Sequence, residues 1–557
     1  MNDVIDRQTP VTVRPVSAIL DETVRRFADR PGMDFLGRRT TYGELGRLVD
    51  LAARGFQQLG VRKGVKVGLC LPNTPYFVIC YYAVLKAGGT VVNFNPLYVE
   101  RELAHQIKDS GTTIMVTLDV QLIYPKIAAM LDSTPLEKVV VCSMADILPT
   151  VQGILFQVLK RADIAAVPED LRHVRFERLI ANDGQLKPVE IDPLTDIAVL
   201  QYTGGTTGLP KGAILTHANL SANAEQVSRW VPSIQPGQER MLCVLPLFHV
   251  FAMTVAMNSG VQLGAELILL PRFELDQVVK YIVRKRPTLF PGVPTIYTAI
   301  IGAAEKGGFD LSSIRCCISG GAPLPVETRA RFEQLTGCLL VEGYGLSEAS
   351  PVVCCNPFNA VKTGSVGMPL PGTTVEVRSP QDPSRVLPPG EKGEICVRGP
   401  QVMAGYWQKQ AETEQVFVDG ALRTGDIGYV DEDGYIFLVD RIKDVIISGG
   451  YNIYPRVIEE ALYQHPAVAE AVVIAVPDPY RGQAPKAFVR LRDGQRTTPD
   501  ELKEFLSGYV SKIELPKLIE IRDVLPKTMV GKLSKKELVA EEEAKAAELS
   551  GSLDKAS

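Results

Sequence analysis

Between Val65 and Leu118 the chain alternates short apolar runs with longer mixed segments, and that order leaves few folds open. Val65–Leu71 reads as a strand, Pro75–Ala87 as a helix entered through a turn, and Thr90–Phe94 as a second strand. Val99–Asp109 follows as a helix with a polar face, then Thr113–Leu118 as a third strand. Strands joined through helices pair in parallel, so the stretch predicts a parallel sheet covered by helices. A similar texture returns from Ile197 to about Leu340, which predicts a second α/β layer rather than a sequence repeat.

From Gly364 to Asp440 the texture changes. Thr374–Arg378, Gly393–Arg398 and Tyr435–Val439 are short β-rich runs separated by Pro/Gly or Asp-Gly turns, the pattern of an antiparallel subdomain or small barrel. A further α+β unit follows: helix Ile458–Gln464, strands Ala471–Val476 and Ala487–Leu491, helix Pro499–Val510 and strand Leu518–Ile521. The tail after Leu538, rich in Glu, Ala and Lys, reads as a fraying solvated helix. At 557 residues the chain exceeds one compact core. The expected fold is therefore α/β: a large N-terminal domain (1–440) of two α/β subdomains plus a small β-barrel, then a hinge linker (441–447). A small mobile α+β C-terminal domain (448–557) completes it.

Charge narrows the function. A net charge of −4 gives no electrostatic case for a nucleic-acid partner, so an enzyme for anionic substrates must gather positive charge locally. The ten cysteines include the adjacent pairs Cys316–Cys317 and Cys354–Cys355 and form no Cys-x-x-Cys. With no secretory leader apparent, reduced thiols and a cytoplasmic location are expected. The five histidines (105, 173, 217, 249, 465) lack zinc-ligand spacing. The apolar run Tyr76–Leu85 is far short of the ~20 residues of a bilayer helix. In Val151–Arg161, Val151, Ile154, Leu155, Val158 and Leu159 share one helical face, with Lys160 and Arg161 behind them. Such a stripe ordinarily faces a core; the alternative is peripheral association with the inner face of a membrane.

The segment Thr203-Gly-Gly-Thr-Thr-Gly-Leu-Pro-Lys-Gly212 follows the apolar run Ile197–Leu200. Gly204, Gly205 and Gly208 let the main chain approach a polyanion and aim N–H groups at it, while Thr206 and Thr207 add hydroxyl donors and Lys211 a compact charge. A P-loop needs Gly-Lys-Ser/Thr at its end; here Lys211 lies between Pro210 and Gly212, so that reading fails.

At this loop the chain resembles the adenylate-forming superfamily of acyl-CoA synthetases, adenylation domains and firefly-type luciferases. The resemblance continues in order through Ser319-Gly-Gly-Ala-Pro-Leu324, Glu342-Gly-Tyr-Gly-Leu-Ser-Glu348, Arg423-Thr-Gly-Asp426, Asp440-Arg-Ile-Lys-Asp444 and Pro526-Lys-Thr-Met-Val-Gly-Lys532. It implies that Glu348 holds Mg²⁺, with Thr203 as a second oxygen donor, and that Ser347, where threonine is commoner, contacts the α-phosphate. Gly321, Ala322 and Pro323 with Gly343, Tyr344 and Gly345 resemble the adenine pocket. Asp426 would hold the ribose hydroxyls, with Arg441 as its partner. Lys532 would enter between the substrate carboxylate and the α-phosphate and neutralise charge there. His249, in Pro246-Leu-Phe-His-Val-Phe251, and Met253 are placed by the resemblance at the acyl pocket.

The implied chemistry has two steps. A carboxylate attacks ATP to give an acyl-adenylate and pyrophosphate; coenzyme A then takes the acyl group and AMP leaves. The small domain would rotate about Lys443 between them, and Gly449, Gly450 and Tyr451 would admit the pantetheine arm. Among relatives the chain looks most like bacterial long-chain fatty-acid–CoA ligases, through Asn95-Pro-Leu-Tyr98, Leu200-Gln-Tyr-Thr203, Phe248-His-Val-Phe-Ala252 and Gln401-Val-Met-Ala-Gly-Tyr-Trp407. Aryl or dicarboxylic acids, or delivery to a carrier protein, are alternatives. The setting of Lys532 also resembles that of ligases silenced by a regulatory acetyltransferase.

Overall fold

The computed structural model describes residues 9–203, 210–448, 451–478, 480–528 and 531–553. The first predicted sheet is present with nearly the expected bounds. Strands Lys66–Cys70, Thr90–Asn93 and Ile114–Leu118 pair in parallel, connected through helices Pro75–Lys86 and Glu100–Ser110. They sit inside an eight-stranded sheet whose order is Gly405–Tyr406, Lys211–Thr216, Ile197–Thr203, Thr90–Asn93, Lys66–Cys70, Ile114–Leu118, Lys138–Cys142 and His173–Arg175. Every residue from Pro75 to Leu85 is buried, which explains why this helix carries no polar face. It is the central helix of the largest apolar core.

The second layer contains a surprise of connectivity. Strand Pro31–Phe35, from the N-terminal region, pairs in parallel with Glu266–Leu269, which pairs in turn with Arg240–Cys243. Single bridges through Leu289 join these strands to Cys316–Ser319, and Leu339–Gly345 runs parallel to that strand. Helix Tyr42–Gln58 begins with a capping box in which Thr41 and Glu44 satisfy each other's end of the first turn, a device worth about 1 kcal/mol.

The antiparallel segment forms a five-stranded curled sheet of Thr374–Arg378, Gly393–Arg398, Ala421–Val430, Phe417–Val418 and Ile436–Arg441. Among the described residues its outer strands do not pair with one another, so it is a half-barrel rather than a closed barrel. Residues 446–521 build a separate five-stranded sheet with its own apolar cluster around Ile458, Val473, Val489 and Leu502. The final helix, Lys535–Leu553, is anchored by the buried Leu538.

Helix Thr150–Leu159 departs from the expectation that its apolar stripe faces a core. Val151, Ile154, Leu155, Val158 and Leu159 are all exposed, because the side turned inward carries Gly153 instead. Among the described residues no helix is long and apolar enough to cross a membrane.

Candidate active site

Strands Ile197–Thr203 and Lys211–Thr216 pair antiparallel with Thr203 opposite Lys211, so the two ends of the Gly/Thr loop are neighbours. The Thr203 hydroxyl donates to the Lys211 carbonyl at 3.4 Å. Gly204, Gly205, Thr206, Thr207 and Gly208 lie outside the described residues. Strand Gly405–Tyr406 joins the outer edge of this hairpin, held by the Trp407 N–H to the Gly212 carbonyl at 2.8 Å and the Trp407 indole to the Asp109 carbonyl at 3.1 Å. The pairing puts the Tyr406 ring 5.1 Å from the Lys211 ammonium and its hydroxyl 2.7 Å from Glu348 Oε1, to which it donates.

Glu348 sits in the short turn Ser347–Ala349, and its carbonyl accepts the Met403 N–H at 2.7 Å. Its Oε2 has no hydrogen-bond partner among the described residues. A half-buried carboxylate with one oxygen fixed and one available suits a hard cation such as Mg²⁺ shared with phosphate oxygens.

Beside this turn lies a cleft of about 90 Å³, bounded by His249, Gly320, Gly321, the run Gly343–Ser347 and Lys532. Gly345 is forced: a Cβ there would fall 1.9 Å from the Pro351 carbonyl oxygen. Ala322, half-buried, and Pro323, exposed, continue the turn at the rim.

Asp426 and Arg441 face each other across adjacent strands, and the Arg441 Nε donates to Asp426 Oδ1 at 2.8 Å. The Tyr344 hydroxyl donates to the other carboxylate oxygen. Both oxygens of Asp426 are therefore engaged, and a ribose diol binding here would exchange with the tyrosine hydroxyl. The register thus brings Tyr344, Asp426 and Arg441 into one cluster.

Lys532 reaches this cluster from the C-terminal unit. Its side chain lies against Gly321, where φ is +81° and a Cβ would be 2.3 Å from the lysine Cε. The Thr295 hydroxyl donates to the Gly531 carbonyl at 3.1 Å, and Arg492 pairs with Glu327 at 3.2 Å, so the unit is docked over the cleft. Burial lowers the Lys532 ammonium to about 8, with Arg441 adding to the effect and Asp426 opposing it. Burial likewise holds His249 down to about 3, helped by the Lys532 charge, and its Nδ1 accepts the Phe251 N–H at 3.3 Å. The imidazole in the cleft is thus neutral at physiological pH.

Met253 is fully buried in the π-helical segment Ala252–Asn258, its sulfur accepting from Asn93 at 3.3 Å, and it is not part of the cleft wall. Lys443 lies in the turn Ile442–Asp444 between the half-barrel and the C-terminal sheet, its ammonium lowered by burial. Tyr451 is exposed opposite Ser448; Gly449 and Gly450 lie outside the described residues.

Comparison with known proteins places this geometry. The pattern described as AMP-binding enzyme matches residues 20–407, and that of the AMP-binding enzyme C-terminal domain matches residues 457–532. The chain belongs to the AMP-binding enzyme family. A long-chain-fatty-acid–CoA ligase of Bacillus subtilis is 43% identical over 97% of this chain and 96% of its own length. Among solved structures, MatB from Rhodopseudomonas palustris with ATP bound has a TM-score of 0.81 at 27% identity, covering 95% of this chain and 98% of its own. The anthranilate CoA ligase AuaEII in complex with anthranoyl-AMP gives 0.85 at 25% identity, covering 97% and 99%.

Three residues of this AMP-binding enzyme acquire a place at the site that motif reading did not give them. Tyr406 joins Lys211 to Glu348, though its Gly-Tyr-Trp setting was the sole hint. Glu342, on strand Leu339–Gly345, faces Arg456 of the C-terminal unit; burial pushes its carboxyl up to about 7, while Arg456 opposes the shift. Asp440 accepts the Arg441 and Arg456 N–H groups at 2.8 and 2.9 Å, bridging the end of strand Ile436–Arg441 to the start of helix Pro455–Tyr463.

Proposed function

We propose that this protein is an AMP-forming acid–thiol ligase that activates a long-chain fatty acid with ATP and transfers the acyl group to coenzyme A. The observation that carries the acyl class is the 43% identity to the Bacillus subtilis long-chain-fatty-acid–CoA ligase over 97% of this chain. Beside the cleft, and sharing Ile318 with it, lies a small apolar void of about 20 Å³ lined by Val227, Val255, Leu263 and Phe290.

In this reading the Gly/Thr loop and Lys211 hold the triphosphate, and Tyr344, Asp426 and Arg441 hold the nucleoside. Glu348 and Thr203 would hold Mg²⁺, which supplies charge neutralisation on the phosphates when bound. Ser347 borders the α-phosphate. The fatty carboxylate attacks phosphorus, pyrophosphate leaves, and Lys532 offsets the negative charge that accumulates between them. Neutral His249 borders the acyl carbonyl without adding a competing cation. Rotation about Lys443 then withdraws Lys532, and the thiol of coenzyme A, entering past Gly449, Gly450 and Tyr451, displaces AMP. Acetylation of Lys532 would remove the charge that the first step uses and leave the second intact.

The test is CoA-dependent AMP formation with saturated acids from acetate to oleate length, ω-dicarboxylates and anthranilate, for wild type and Lys532→Ala. The expected result is an optimum among long alkyl chains and loss of pyrophosphate exchange in the variant. An optimum at anthranilate would transfer the assignment to aryl acids, and AMP release indifferent to CoA would transfer it to another acyl acceptor.

A further inference from the structure

Helix Thr150–Leu159 wears its apolar stripe on the outside. Val151, Ile154, Leu155, Val158 and Leu159 follow the i, i+3, i+4, i+7, i+8 spacing that normally marks a core face. They are instead 69, 58, 48, 69 and 73% exposed. The inward contacts belong to Gly153, where a Cβ would lie 2.6 Å from the Ala145 carbonyl oxygen, and to Phe156, which packs against the main core. The helix is fixed to the body: the Arg38 guanidinium donates to the carbonyls of Asp146 and Leu148, just before its first turn.

Its charges have a matching arrangement. None of the ten residues from Thr150 to Leu159 is charged, and basic side chains stand at both ends, Arg38 at one and Lys160 and Arg161 at the other. The nearby acids are Asp146, which Glu177 contacts, and Asp163, 3.7 Å from Lys160; Arg161 has no ion-pair partner among the described residues. Beyond the C-terminal end, the Gln121 N–H binds the Asp163 carbonyl at 2.8 Å, and this brings up Leu122, itself 65% exposed.

We propose that this helix is a membrane-docking surface that lies in the headgroup–acyl boundary of an anionic phospholipid bilayer. Ten residues span about 15 Å, too short to cross a bilayer and suited to lying in its plane with basic side chains at the phosphates. A second copy fits less well. Five partly exposed side chains offer a few hundred Å², below the roughly 800 Å² that each partner contributes to a stable interface. The surface would collect the enzyme where long-chain acids partition. Only this purpose rests on the fatty-acid reading, and docking is measured without catalysis.

The experiment is flotation of the full chain with vesicles of phosphatidylethanolamine and phosphatidylglycerol, or of phosphatidylcholine alone. It compares wild type with the variant Ile154→Gln, Leu155→Gln, Val158→Gln, Leu159→Gln. Wild type should float with the anionic vesicles, and the variant's bound fraction should fall at least about tenfold, as expected when the inserted apolar face is withdrawn. Arg161→Gln should show a smaller loss, confined to the anionic vesicles. An unchanged thermal melt keeps misfolding apart from lost docking. Equal flotation of wild type and variant, or no flotation of either, overturns the proposal. So does a wild-type dimer in sedimentation velocity that the variant splits, since that assigns the face to a second copy.

Discussion

At the scale of single residues, the site depends on two contacts that no motif spells out. Lys532 rests where Gly321 has no side chain, and the left-handed φ there disfavours any other residue. Gly321→Ala should displace the lysine and lower pyrophosphate exchange by about 10²-fold, the scale of a roughly 1 Å misplacement. Thioester formation from preformed acyl-AMP should be largely retained; equal loss of both would show that the glycine serves the fold alone. Tyr406 fixes one oxygen of Glu348. Tyr406→Phe keeps the ring beside Lys211 and removes one hydrogen bond to a carboxylate, worth about 1.5 kcal/mol. A Mg²⁺ titration of adenylation should therefore shift its midpoint upward about tenfold, and an unmoved midpoint would remove Tyr406 from the metal's support. Lys211, Glu348, Asp426 and Lys532 were legible because their neighbours form local patterns. Tyr406 was not, since its partners lie 58 and 195 positions away along the chain.

At the scale of elements, strand Leu339–Gly345 and helix Pro455–Tyr463 meet through charge. Glu342 on the strand faces Arg456 on the helix, and Arg456 also pairs with Glu460 at 2.8 Å. Burial raises the Glu342 carboxyl from 4.5 to about 7, so the folded state binds its proton more tightly than the unfolded chain does. The stability linked to that proton is complete below about pH 4.5 and is lost as pH rises through about 7. Glu342→Gln removes the titration while Glu460 still compensates Arg456. The variant should melt above wild type at pH 8, by on the order of 1 kcal/mol, with the difference closing by about pH 5. Parallel melting curves at both pH values would contradict this. The strand and helix themselves were readable from periodicity. Their juxtaposition was not, because nothing local records which charged residues face across a domain boundary. Helix Thr150–Leu159 shows the converse: its periodicity was plain, yet the side it turns outward was decided by Gly153 packing beneath it.

At the scale of the whole molecule, the C-terminal unit is docked with Lys532 in the cleft, and the chain passes to it through Ile442–Asp444. If that turn is the pivot, Lys443→Pro should spare adenylation, which uses the docked arrangement, and reduce thioester formation at least about tenfold. Pyrophosphate exchange and acyl-CoA formation measured on one preparation decide it; proportionate loss of both would place the pivot elsewhere. The sequence by itself determined the order of strands and helices, the change to antiparallel texture after Gly364 and the ordered set of family motifs from Thr203 to Lys532, because each is written in residues close together in the chain. Tertiary structure alone decided that strand Pro31–Phe35 pairs with Glu266–Leu269, that the half-barrel stays open, that Tyr406 reaches Glu348 and that an apolar helix faces outward. Those outcomes depend on which surfaces fill space together across hundreds of positions, and packing of that kind leaves no period in the sequence.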